Sequence, residues 1–382
     1  MTLKSLRSLR TLRTLKDPIF PMQIFRKRSA QDLAGHSLDR MAWRRFRRNP
    51  LSVASLVVIG LFALVALLGY LITPDHTPYC NQQYLEIATL KPFSKATFLC
   101  TSDHQSHRSS LLRRMAKGEP LDYTATPIIK YRYARDSIVA MPYNGDSIVV
   151  AASEATVKQR TFVLGTDGYG RDVLSMIMIG SRVSLSVGFI AILIALLLGI
   201  TLGALAAYHG GWVDNLIMWV INVVWSIPTV LLVIAITFVL GKGFWQIFIA
   251  VGLTMWVDIA RVVRGEVLSI KEKEYVEATR ALGYSTFRTI FRHILPNIAG
   301  AVVVVAASNF ASAILLEAGL SFLGIGVQPP MPSWGMMVKE NYGYILLDSA
   351  YLALLPGLTI MLVVLAFMLL ANGLRDALDT RR

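Results

Sequence analysis

Few residues in this chain have the chemistry to act, and their spacing narrows what they can do. Glu277-Ala278-Thr279-Arg280-Ala281-Leu282-Gly283 is followed by ten residues and then by Ile294-Leu295-Pro296. The stretch is polar and charged, lies between two apolar spans, and carries a glycine where a helix C-terminus needs a left-handed residue. Such a hairpin can receive a soluble partner or run through solvent as a re-entry loop, and charge alone does not choose between them. Cys80 and Cys100 are the only cysteines. In an oxidising compartment two cysteines most simply form a disulfide. Adding His104 and His107 makes a four-ligand metal set, which the long separation of the two thiols disfavours.

Enzymatic motifs are missing. The only lysine followed by Ser or Thr is Lys4, with no room upstream for a phosphate-cradling glycine loop. Neither a zinc-binding HExxH helix nor a GxSxG nucleophile elbow occurs. Gly165-Thr166-Asp167-Gly168-Tyr169-Gly170 is glycine-rich but lacks the dinucleotide-binding spacing. The expectation is a non-enzyme with no catalytic residue, no metal and no cofactor of its own.

The elements that must position the hairpin are membrane spans. The chain is 54% hydrophobic and 16% charged, against about 25% charged for a soluble protein. Its apolar residues fall in blocks near the ~20 residues a crossing needs. Six spans are expected: Leu51 to Ile72, Val183 to Ala207, Asn215 to Leu240 with a kink at Pro228, Phe244 to about Asp258–Arg261, Ile298 to Leu316, and Ala350 to Asn372. The net charge of +14 is concentrated beside the first span, where residues 1–50 hold thirteen Lys/Arg against three acids. That placement argues for membrane orientation and lipid contact rather than nucleic acid. The leucines at 3, 6, 9, 12 and 15 drift around a helix, so a basic tail on lipid headgroups is preferred to an interaction helix.

Alternation from a cytoplasmic N-terminus puts 74–182 outside, 261–297 inside and the C-terminus inside. Residues 261–297 carry seven Lys/Arg against four Glu, as the positive-inside rule requires. Segments Ile128–Tyr133 and Ser147–Val150 read as strands in an outer insert. The hairpin itself reads as a helix from Val267 to Leu282, Gly283, and a second basic helix leading to Pro296. Ionisable residues are scarce in the spans, which disfavours a proton- or sodium-coupled secondary transporter. Only Asp258 and Arg261 near an inner end, and Glu317 near an outer end, approach the membrane. Gly199 and Gly203 fit close helix packing better than substrate contact.

The hairpin resembles the EAA loop of bacterial ABC-importer permeases. Further segments resemble the dipeptide/oligopeptide/nickel permease family, in its subunit type with a long outer loop. They are Trp43 to Pro50, Leu164 to Asp172, Gly210 to Asp214, Leu320 to Gly326, Pro332 to Gly335 and Gly373 to Asp379. The likeness covers about 40–73 and 162–382; the first thirty-odd residues have no counterpart, and the outer loop is long. It implies an all-α polytopic membrane protein with six transmembrane helices, a cytoplasmic coupling hairpin and a small mixed extracytoplasmic insert. The implied divisions are a basic tail at 1–50, an anchor helix at 51–73, an insert at 74–161, and a permease domain at 162–382 with its coupling segment at 267–296. By the same resemblance Glu277, Ala278, Gly283, Leu295 and Pro296 couple to the ATPase. The implied partners are a second homologous permease, two cytoplasmic ATPases holding ATP and magnesium, an extracytoplasmic binding protein and the bacterial inner membrane. Import of peptides or a related small solute follows, with nickel or oligosaccharide import as alternatives, and the substrate-binding residues stay unassigned.

Overall fold

The computed structural model describes residues 38–102, 110–241 and 243–378. The leucine repeat, His104 and His107 lie outside them. Two helices open the fold, α1 (Leu38–Arg48) and α2 (Pro50–Ile72). Asn49 ends one and starts the other: its side-chain oxygen accepts from the backbone N–H groups of Leu51 and Ser52, and Pro50 takes the first turn, where no donor is needed. A short helix, α3 (Leu111–Lys117), follows in the insert. The bundle then runs through α4 (Val173–His209), α5 (Gly211–Ser226), α6 (Thr229–Leu240) and α7 (Phe244–Lys271). After the hairpin come α10 (Leu295–Phe322), α11 (Trp334–Asn341) and α12 (Tyr351–Leu378).

Five helices or helical runs are long and apolar enough to cross a membrane, and six if α5 and α6 count as one broken span. That pair corrects the expected single kinked helix, because α5 and α6 meet at 95°. Proline disfavours helical backbone in the residue before it. Ile227 accordingly adopts φ −90° and ψ 128°, and Pro228 has lost its place in a helix. The core of the bundle is α4 against α7. A Cβ added at Gly203 would lie 2.5 Å from the carbonyl oxygen of Ala260, and one at Gly199 would lie 2.7 Å from the Cβ of Ile259. The small residues therefore let two backbones touch, as their spacing suggests. Arg182 on α4 ties in the first helices, donating to the carbonyls of Ala66 and Leu67 on α2 and of Met115 and Ala116 on α3. One guanidinium thus bridges two helices, and on α3 it satisfies carbonyls of the last turn.

The insert is a five-stranded antiparallel sheet in the order β4-β3-β2-β1-β5. Its strands are β1 (Ser94–Ser102), β2 (Tyr123–Ala134), β3 (Ser137–Pro142), β4 (Ile148–Ala151) and β5 (Ala155–Phe162). The two expected strand segments fall in β2 and β4. The cysteines differ from expectation: both are buried free thiols. They belong to different cores. Cys80 packs with Tyr70, Val173 and Met176 beside the bundle, and its Sγ lies 3.1 Å from the carbonyl of Asp75. Cys100 faces Tyr84, Phe98 and Phe162 on the sheet. Burial pushes both thiols above their ordinary pKa.

Between insert and bundle, Leu164–Asp172 forms a joint whose polar groups are satisfied within the chain. Arg171 donates to Asp167 at 2.7 Å and to Glu340 at 2.5 Å. Asp167 also accepts from the backbone N–H groups of Tyr169 and Arg171. Gly170, at φ +74°, has its Cα so close to Tyr84 that a Cβ would come within 1.8 Å of that carbonyl. Asp172 caps α4, accepting from the backbone N–H and the hydroxyl of Ser175. Burial raises its carboxyl above the usual range, against the pull of the Ser175 hydrogen bonds and of Arg160.

Candidate functional site

The hairpin begins where α7 ends. The expected helix from Val267 to Leu282 is divided: its first five residues belong to α7, and the chain turns at Glu272 and Lys273 before α8 (Glu274–Ala281). Lys273 is extended, at φ −80° and ψ 142°, which separates the helices. Lys271 fixes the turn by donating to the carbonyl of Ala207 at 2.9 Å, near the end of α4. Arg280 lies 5.0 Å from the ring centre of Tyr208, also on α4. Val276 and Thr279 form the buried side of α8, and Glu277 and Ala278 are exposed.

Gly283 closes α8 at φ +73°. Its N–H reaches the carbonyl of Arg280, and the N–H of Tyr284 reaches Thr279, a paired closure that an L side chain would strain. Ser285 caps α9 (Thr286–Thr289), and the hydroxyls of Thr279 and Thr289 lie 3.4 Å apart between the two arms. No linker separates the second arm from the bundle. A π turn at Ile290–Ile294 carries it into α10, with Pro296 in the first turn. Proline cannot donate to the carbonyl four residues back and its ring crowds that oxygen, which the wider turn relieves. Pro296 is exposed and Leu295 half-buried. Glu277, Ala278 and Gly283 thus share an exposed surface, and Leu295 and Pro296 sit at the base of the second arm. Sequence reasoning missed the apolar component of this surface: Leu282 and Phe287 are each 69% exposed, and Phe291 packs at a tilt against Phe287, ring centres 4.3 Å apart. Its available signal was apolar residues spaced four apart in a basic stretch.

A second feature lies in the bundle. The α5–α6 break, α7 and α10 enclose a cavity of about 500 Å³. Irregular backbone at membrane depth is tolerated where it lines such a space. Asp258 lines it from the middle of α7, not from an inner end, because that helix continues thirteen residues further, to Lys271. Arg261, one turn on, stacks over Trp225 at 4.0 Å and donates to Asn222. Glu317 is unlike Asp258. It is fully buried, with Ser184 and Ser321 bonded to its carboxylate at 3.0 and 2.7 Å.

Residues 199–382 match the family of binding-protein-dependent transport system inner membrane components, and residues 37–92 match the N-terminal transmembrane domain of oligopeptide transport permease C. The glutathione transport system permease of Pectobacterium atrosepticum is 41% identical over 218 residues, 57% of this chain and 72% of that one. The chain belongs to this permease family. Two more relatives align over 217 residues, 57% of this chain and 71% of each. They are a dipeptide transport system permease of Alkalihalophilus pseudofirmus, 43% identical, and an oligopeptide transport system permease of Bacillus subtilis, 38% identical. The protein is therefore a multi-pass membrane permease subunit of an ABC importer, and the small sheet is an addition to its helical permease fold.

Proposed function

We propose that this permease carries peptides across the bacterial plasma membrane, paired with a second homologous permease. Two cytoplasmic ATPases supply the energy, and an extracytoplasmic binding protein delivers the solute. ATP and magnesium sit on the ATPases, and this chain holds no cofactor. The relatives named for glutathione, dipeptide and oligopeptide transport support the substrate class. The distribution of Lys and Arg supports cytoplasmic termini, a cytoplasmic hairpin and an outer sheet.

One observation carries the coupling role: the hairpin leaves Glu277, Ala278, Leu282, Gly283 and Phe287 exposed together while its base is fastened to the bundle. A partner seated on that surface would move α8 against α4 through Lys271 and Arg280, and α10 through the unbroken π turn. ATP binding closes the motors, pushes the hairpin as a rigid body and turns the bundle from inward- to outward-facing. Solute then enters from the binding protein, and hydrolysis resets the pair.

The test is uptake by cells that lack only this chain but keep its partners. Returning the chain should restore entry of radiolabelled dialanine or glutathione. Restoration of nickel entry with neither peptide transported would overturn the peptide reading.

A further inference from the structure

We propose that Asp258 and Asn309 form a substrate subsite in the bundle cavity that takes the protonated amine and an adjacent carbonyl of a passing peptide. The inference rests on the reading of this chain as a peptide permease. It begins from a difference between two acids within the spans. Glu317 has no exposed surface and two serine partners, which is how a structural carboxylate is held. Asp258 is exposed, with no ion pair within 4 Å and no hydrogen bond among the described residues. A carboxylate halfway along an apolar helix is costly and calls for a cation.

No cation among the described residues pairs with it, although the charge of Arg261 acts on it from one turn away. Arg261 is the nearest candidate on the same helix, but its guanidinium lies over Trp225 and donates to Asn222. Asn309 adds a second, independent observation. It lines the same cavity, is 7% exposed, and its Nδ2 has no hydrogen-bond partner. A buried amide donor left unpaired is costly, so a carbonyl that reaches it is favoured. The remaining polar lining points the same way. Thr254 and Ser312 donate their hydroxyl protons to the carbonyls of Val251 and Ser308, leaving oxygen lone pairs available.

The cavity therefore offers one carboxylate, one free amide donor and hydroxyl acceptors, and no cation among its lining residues. An α-ammonium followed by a peptide carbonyl is the arrangement that fits this set. The volume of about 500 Å³ lies within the range of roughly 300–1,000 Å³ for small-molecule pockets. Every α-peptide with a free N-terminus shares that arrangement whatever its side chains, so the subsite reads the backbone end and leaves sequence selection to other parts of the importer.

The experiment reconstitutes the complete importer in proteoliposomes and measures dialanine uptake together with ATPase stimulation by the dialanine-loaded binding protein. Asp258→Asn should lower uptake about tenfold while the subunits still co-purify and the ATPase is still stimulated. Asp258→Glu should recover most of the rate, and Asn309→Leu should raise the KM for transport more than it lowers kcat. Wild-type uptake by Asp258→Asn overturns the subsite. So does loss of subunit co-purification in that variant, which would assign the carboxylate to the neighbouring permease. Failure of the unaltered importer to move any peptide would instead strike the peptide reading on which the proposal stands.

Discussion

The joint at Leu164–Asp172 and the hairpin at Glu274–Ile294 are both charged turns that depend on glycine, yet the chain treats them in opposite ways. At the joint every charge has an internal partner: Asp167 with Arg171, Arg171 with Glu340, and Asp172 with Ser175. Gly165 and Gly170 are pressed against the backbone of Leu90 and Tyr84, and Gly168 against the ring of Tyr344. At the hairpin Gly283 has open space around it, with nothing within 4 Å of where a Cβ would lie. Beside it Leu282 and Phe287 face outward. A turn that satisfies itself holds two parts of one chain together. A turn fixed only at its base, with its apolar tip uncovered, is built to meet another chain.

The same substitution at the two ends should break this contrast most plainly. Arg171→Leu leaves two carboxylates, on Asp167 and Glu340, facing a site with no cation; removing one partner of a buried ion pair costs about 3–5 kcal/mol. Arg280→Leu removes an exposed stack on Tyr208, worth roughly 0.5–1 kcal/mol. Thermal unfolding of the purified protein in detergent should show a large drop for the first and a small one for the second. Equal drops would mean that the hairpin is as integral to the folded chain as the joint.

How much of this could be read from residues alone differs between the two ends for a physical reason. The hairpin is local. Gly283 announces a helix end, Pro296 announces a helix start, and the residues that close the turn lie within six of each other. Besides the apolar tip, the detail missed there was the break before α8 at Glu272 and Lys273, which depended on α4, because Lys271 is drawn to the carbonyl of Ala207. The joint is non-local. Its glycines could be seen as turn formers, but nothing near Arg171 in sequence indicates Glu340, which lies 169 residues away. The cysteines failed on the same ground: a pair twenty residues apart was placed in two different cores by contacts with distant helices. At Pro228 the position was legible and the magnitude was not, since a kink and a 95° break have the same local signature. Asp258 was visible, with Arg261, as a charge near a span end, but its place at mid-helix followed only from the full length of α7.

A middle-sized effect separates folding from coupling. Gly283→Val puts a β-branched residue at φ +73° with no steric obstacle around it, a strain of roughly 1–2 kcal/mol confined to the tip. The variant should insert and keep nearly its full unfolding temperature while peptide uptake falls about tenfold, the factor equivalent to 1.4 kcal/mol. Uptake at the normal rate would count against the coupling role of the hairpin.

The smallest effect tests the charge of the joint. Burial, opposed by Ser175 and Arg160, holds the carboxyl of Asp172 above its ordinary value. Between that ordinary value, about 3.9, and the raised folded one, the folded protein binds more protons than the unfolded chain. Stability must then fall as pH rises through this window and level off above it, the reverse of an ordinary salt-bridged acid. Asp172→Asn keeps an oxygen to cap α4 and removes the titration, so its unfolding temperature should vary less over that window than the parent's. A cap that only needs an acceptor would tolerate the change, at most about 1 kcal/mol. A slope that survives in Asp172→Asn would put the pH response of the joint on other groups, and the internal pairing that distinguishes it from the hairpin would then rest on Arg171 alone.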